Sequence, residues 1–240
     1  MTMKKTKIVA IHQPNFFPWL GYFDKIARSD IFIIMDNVQF PKTGAGTWSN
    51  RAKLLIAGQS NWITMPIIRS YSGKITYQDI QINNHQTWRS KLLKTIQINY
   101  CRSSFFDIVF PQLLELINYP TDSLVDFNLN AIHELINVLE LDISKFILGS
   151  NLKVEGNATD LLISMVKAVE GTAYLCGGGA SGYQENDKFS LEGIELIYQN
   201  FQHPVYQQIN TKEFVSGLSI IDVLMNCGFE KTRELLYYHT

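Results

Sequence analysis

The 240-residue sequence predicts an α/β fold: a mostly parallel sheet with helices on both faces and a helical insertion in the middle third. Three observations predict it. Short β-branched apolar runs alternate with segments whose apolar residues recur at helical spacing, the order that builds parallel sheets through helical crossovers. The runs are apolar almost throughout, as strands covered on both faces are. Between Thr87 and Leu141 the strand signal gives way to helical periodicity alone.

The first run, Ile8 to Ile11, stops at polar His12 and Gln13, where Pro14 and Pro18 forbid an immediate helix and fix a loop. Tyr22, Phe23, Ile26 and Ala27 then predict a short helix closed by Ser29-Asp30, and Ile31 to Met35 a second buried strand ending at Asp36. Gln39 to Trp48 is a polar, glycine-rich connection with the character of a binding loop. Asn50 to Ile56 suits a helix or a short strand, Gly58 to Asn61 a turn, Trp62 to Ile68 a third strand and Gly73 to Ile82 an edge strand.

Helical spacing follows at Trp88, Leu92 and Ile96, again over Phe105 to Ile117, and a third time from Leu124 to Leu139. Strand character returns at Lys145 to Gly149. Asn157, with Asp160 three residues on, predicts a capped helix through Val169, and Gly171 ends it. Thr172 to Cys176 is another buried strand leading straight into the glycine-rich Gly177 to Tyr183. Ile194 to Phe201 alternates as the last strand, and Leu218 to Asn226 is a final helix capped after Cys227 by Gly228. The boundaries are an N-terminal α/β half over 1–86, the helical insertion over 87–143, and a C-terminal α/β half over 144–240 completing one domain.

Composition removes several functional classes. Apolar residues make up 46% and charged ones 18%, too apolar for a disordered chain, and the length suffices to bury a substantial core. A formal charge of -1 gives no electrostatic argument for nucleic acid. The basic start leads into only four apolar residues before His12, and no 18-residue apolar run exists, so a cytoplasmic chain without membrane insertion is expected. Three cysteines at unrelated spacings argue for reduced thiols and against a disulfide framework or a zinc site. No metal and no tightly bound cofactor are expected.

The chemistry-bearing residues gather at predicted strand ends, where open α/β sheets place ligands. His12, beside Gln13 and Asn15, suits a general acid or base; the competing role is a structural histidine bonded to a backbone carbonyl. Asp36 and Gln39 close the second strand, and Lys42, Trp48, Asn50 and Arg51 follow, a set able to bind a phosphorylated or nucleotide-linked substrate. Gly178 and Gly182 let backbone amides approach an anion, and Ser181 and Tyr183 add hydroxyls there; the bland alternative is a tight turn. Cys176 could pair with a histidine as a nucleophile, although a buried cysteine is ordinarily inert. His203, with Tyr206 and Gln208, forms a second polar cluster after the last strand.

The motifs His12-Gln-Pro-Asn-Phe-Phe-Pro-Trp-Leu-Gly-Tyr-Phe-Asp-Lys-Ile, Asp36-Asn-Val-Gln-Phe with Trp48-Ser-Asn-Arg51, Tyr174 to Tyr183, Phe201 to Gln208 and Leu218 to Gly228 span nearly the whole chain, which resembles the WbqC-like family. That resemblance implies a place in bacterial surface-polysaccharide and O-antigen biosynthesis, with nucleotide-activated amino sugars as the neighbourhood. A more distant likeness is to the nucleotidylyltransferase-like, Rossmann-like fold, from which the chain departs by lacking a His-x-Gly-His; Pro18 to Tyr22 stands in that place. The expectation is a transferase putting an acyl or aminoacyl group on a nucleotide-linked amino sugar. His12 or His203 would be the base, Asp36 would orient it, Ser181 and the glycine amides would stabilise the oxyanion, and Arg51 and Lys42 would hold phosphate. The donor would be an acyl thioester, with an acyl carrier protein as a partner. ATP-dependent nucleotidyl or adenylate-forming chemistry and a non-catalytic binding module are the alternatives.

Overall fold

A computed structural model describes residues 6–41, 47–70, 72–177 and 185–237. The chain begins with β1 (Ile8–His12), α1 (Leu20–Arg28) and β2 (Ile31–Ile34), then a hairpin of β3 (Arg51–Ile56) and β4 (Gln59–Thr64). Three helices follow: α2 (Trp88–Tyr100), α3 (Phe106–Ile117) and α4 (Leu124–Val138). The remainder is β5 (Phe146–Leu148), α5 (Ala158–Ala168), β6 (Ala173–Cys176), α6 (Asn186–Leu191), β7 (Glu195–Tyr198) and α7 (Ile220–Tyr237).

Five strands form one all-parallel sheet in the order β5-β2-β1-β6-β7. Its side chains alternate between two cores, as the two-residue period of a strand requires. Ala10, Phe32, Ile34 and Leu175 join Tyr22, Phe23, Phe127, Ile221 and Leu224 on the face covered by α1, α4 and α7. Val9, Ile11, Ile33 and Tyr174 join Ile163, Val166 and Phe189 on the face covered by α5 and α6. The α/β class with helices on both faces is thus the observed one. From β1 the chain passes through α1 to β2 on one side, whereas β6 pairs on its other side. The order reverses between β1 and β6, and connections leaving such a point diverge and open a crevice at the carboxyl edge.

Five local expectations are corrected. The stretch expected as a third strand of the sheet pairs instead as β4 with β3, antiparallel and in a separate two-stranded sheet. Ala57 and Gly58, at φ 50° and 77°, make the two-residue turn, so strand pairing starts at Gln59. Gly73 to Ile82 is no strand: the Asp79 carboxylate accepts from the Thr76 amide at 2.9 Å and its hydroxyl at 2.6 Å, winding a 3-10 turn over Tyr77–Asp79. Asn157 occupies the N-cap position of α5, but its side chain makes no capping bond, and Ala158 behind it sits at φ 48°. Gly228 interrupts the last helix at φ 74°, where the chain breaks and winds on to Tyr237.

Candidate functional site

A cavity of about 1110 Å³ opens at the carboxyl edge of the sheet, at the reversal between β1 and β6. His12 and Gln13 border it from the end of β1, Met35, Asn37 and Gln39 from beyond β2, Gly177 from β6 and Gln199 to Phe201 from β7. Trp19, Tyr22 and Lys25 of the α1 region close one side, and the start of α5 with Gly156 and Thr159 closes the other. The missing side-chain cap leaves the positive end of the α5 dipole at this wall without a local acceptor from Asn157.

His12 reaches this place because β1 is buried to its last residue and Pro14 stops it. Its Nδ1 lies 3.3 Å from the Gln13 carbonyl, and its ring meets Tyr22 edge-on at 4.8 Å. A carbonyl can only accept, so Nδ1 carries the proton and Nε2 presents its lone pair. Burial, helped by the nearby Lys25 ammonium, lowers the imidazole pKa to about 3. His12 is a neutral acceptor at physiological pH and a weak base. The Tyr22 hydroxyl donates to the same Gln13 carbonyl at 3.1 Å, and burial raises its pKa, keeping it protonated.

Lys25 is the residue the sequence did not single out. Only 4% of it is exposed, and its Nζ makes one long hydrogen bond, 3.4 Å to the Ile11 carbonyl. Among the described residues no carboxylate lies within ion-pair distance of it. Its neighbour Asp24, also buried, turns away, accepting from Gln199 Nε2 at 2.8 Å and pairing with the Arg28 guanidinium at 3.5 Å. Burial lowers the Lys25 pKa to about 8, against a smaller raising contribution from Cys176. An ammonium with so little compensation is costly to bury, and such groups concentrate at functional sites.

Of the residues expected at the site, the structure brings His12, Gln13, Gln39 and Trp48 to the cavity wall. Lys42, Gly178, Ser181, Gly182 and Tyr183 lie outside the described residues. Asp36 is fully buried away from the cavity lining; its carboxylate accepts from Gln78 Nε2 at 2.6 Å and from the Ser150 amide and hydroxyl at 2.9 and 2.6 Å, tying the end of β2 to the segment after β5. It orients backbone, not a histidine. Asn50 bonds Met65 O and the Thr47 amide, holding a turn. Asn15 is buried but does not border the cavity. Cys176 is buried within β6, its Sγ 3.5 Å from the Ile197 carbonyl, and does not line the cavity.

His203 also stands off the cavity lining, half-buried against Trp19 at 5.0 Å and Phe201 at 5.2 Å, with a pKa lowered by burial. Tyr206 and Gln208 point into the protein: both donate to Asp222 Oδ2, at 2.8 and 2.9 Å, while Tyr100 donates to Oδ1 at 2.8 Å. Arg51 sits on the hairpin with its guanidinium 4.1 Å over the Trp62 ring.

The model of the WbqC-like protein family matches residues 13–234. A protein of Mycobacterium tuberculosis described as the uncharacterized protein Rv1507c is 29% identical over 238 residues, covering 96% of this chain and 98% of that one. No solved structure matches the chain.

Proposed function

The chain belongs to the WbqC-like protein family, and from that premise we propose that it is a transferase placing an acyl or aminoacyl group on a nucleotide-linked amino sugar destined for bacterial surface polysaccharide. One observation carries the reading: a buried lysine with a pKa near 8 beside a neutral histidine, in the wall of a cavity at the strand-order reversal. The cavity, about 1110 Å³, lies just above the range of ordinary ligand pockets, roughly 300–1,000 Å³, and so suits a two-part ligand such as a sugar nucleotide.

In this scheme the amine of the sugar attacks the carbonyl carbon of an acyl thioester, the new C–N bond forms, and the C–S bond breaks. The amine must lose a proton. With a pKa near 8, about a tenth of Lys25 is neutral at pH 7 and able to take it, and the thiolate leaving group receives a proton in turn. His12 Nε2 accepts a hydrogen bond from the same amine and aims its lone pair, while Gly177 opens the glycine run assigned to the oxyanion, with Ser181 in it. Lys25 replaces His12 and His203 as the proposed base because both imidazoles are pushed toward lower proton affinity.

The test is to incubate the purified protein with a panel of nucleoside-diphosphate amino sugars and acyl-coenzyme A thioesters and look by mass spectrometry for an N-acylated sugar nucleotide. Product with the wild type and none with Lys25→Met is expected. Sugar-nucleotide binding without turnover on any donor would make the chain a binding module, and a product formed only with ATP would move it to adenylate-forming chemistry.

A further inference from the structure

We propose that the β3–β4 hairpin, with Trp48 just before it, forms a nucleotide platform at the cavity mouth, in which the indoles of Trp48 and Trp62 stack the base and Arg51 and Lys53 hold the diphosphate. This rests on the reading of a nucleotide-linked substrate and adds the part of the molecule that recognises it. Trp48 is 47% exposed and Trp62 40%, unusual for the largest apolar side chains, and their rings meet edge-to-face at 4.8 Å. Trp48 also borders the cavity, so the platform continues the site.

The hairpin register builds the pattern. Lys53 stands directly opposite Trp62, and Arg51, two residues earlier, shares its face. The Arg51 guanidinium lies 4.1 Å and the Lys53 ammonium 5.1 Å from the Trp62 ring centre. The opposite face, with Ala52 and Ile63, is packed into the core, which holds the platform rigid. Among the described residues neither cation is ion-paired with a carboxylate, and Arg51 Nε is buried with no hydrogen-bond partner. A guanidinium stacked on an indole is oriented without being neutralised, ready to pair with an anion.

The combination selects the ligand. Two unneutralised cations match a diphosphate, and an exposed indole pair matches a planar base, whose stacking on aromatic side chains tolerates any base identity. Arg51 covers part of Trp62, so the base takes the open surface of Trp48 with Trp62 as its side wall. Trp48 is the platform residue that borders the cavity, so the ligand passes by it from the hairpin toward His12 and Lys25.

The experiment is isothermal titration of the full chain with ADP, GDP, UDP and dTDP, and with inorganic pyrophosphate as the probe lacking a base. The expected result is binding of at least one nucleoside diphosphate in preference to pyrophosphate, weakened about tenfold or more by Trp48→Leu and by Trp62→Leu. Arg51→Gln should weaken both classes of ligand and reduce the dependence on salt. Because both indoles sit at the surface, about half exposed, the tryptophan variants should keep the wild-type circular dichroism and lose little in melting temperature. Nucleoside-diphosphate affinity unchanged in both folded tryptophan variants, or pyrophosphate bound as tightly as every nucleotide, overturns the platform while leaving the transferase reading standing. No nucleotide bound by the wild type at millimolar concentration overturns both.

Discussion

Replacing Lys25 by methionine should stabilise the protein and abolish its chemistry at the same time. In the unfolded chain the amine titrates near its ordinary value of 10.5, whereas in the fold burial holds it at about 8. That drop corresponds to roughly 3 kcal/mol of unfavourable free energy whenever the folded amine is charged. The sign follows from the protons bound: between about pH 8 and 10.5 the unfolded state holds the proton that the folded state has released, so wild-type stability rises with pH across this window. Below pH 8 the full penalty applies. Methionine fills similar space without charge and forfeits only the long 3.4 Å bond to Ile11 O, worth about 0.5 kcal/mol at that length. The variant should gain about 2 kcal/mol at pH 7, roughly 4–8 °C in melting temperature for a chain of this size. Urea unfolding of both proteins at pH 7 and pH 9.5 measures it, since other titrating groups cancel in the difference. A variant less stable than the wild type at pH 7, or a difference that does not shrink at the higher pH, would refute the assignment of Lys25 as an uncompensated buried ammonium.

Two further predictions concern the scaffold. Asp222→Ala leaves the Tyr100 and Tyr206 hydroxyls and the Gln208 amide without their buried acceptor, and should cost about 3 kcal/mol or more in urea denaturation. Gly228→Ala puts a Cβ about 2.5 Å from the Phe105 ring at a residue with φ 74°, and should cost about 2 kcal/mol, seen as a lower melting temperature; an unchanged melt would mean that the helix break relaxes freely.

The sheet was legible because its strands are buried on both faces and carry their signal in consecutive residues, as Ile8 to Ile11 and Ile31 to Ile34 do. The hairpin was not, because its turn uses Ala57-Gly58 in place of an Asn-Gly or Asp-Gly pair, and β4 presents Gln59, Ser60, Asn61 and Trp62 to solvent with little alternation. At the site, His12 was readable as the polar end of an apolar run. Lys25 was hidden inside a helix read only for its apolar positions: in the structure Leu20 to Ile26 are all buried, so the adjacent charges of Asp24 and Lys25 have no solvent to face, and apolar periodicity alone does not announce a helix covered on every side. Asp36 does follow the end of β2, but it turns inward to Gln78 and Ser150, and Tyr206 and Gln208, well past the end of β7, turn inward to Asp222; sequence position locates a residue along the chain and says nothing about which way its side chain turns.

That distinction bears on the opening motif, whose residues look uniformly functional and divide into two kinds. Phe16, Phe17 and Phe23 are almost wholly buried, and Phe16 and Phe17 pack against Phe127 of α4. The loop they occupy is clamped from several sides: Asn128 of α4 donates to Pro14 O at 2.9 Å and Ser49 O at 2.7 Å, Ser219 Oγ donates to Phe17 O at 2.7 Å, and the Ile220 amide donates to Pro18 O at 2.7 Å. Phe17 sits at φ 38° within this clamp, a conformation an isolated loop would abandon. Most of the motif therefore fixes the backbone on which His12 and Gln13 stand and from which α1 carries Tyr22 and Lys25 inward. The helical third contributes through Asn128 and Phe127, which reach the same loop, so its role at the site is to hold the connection between β1 and α1 rigid.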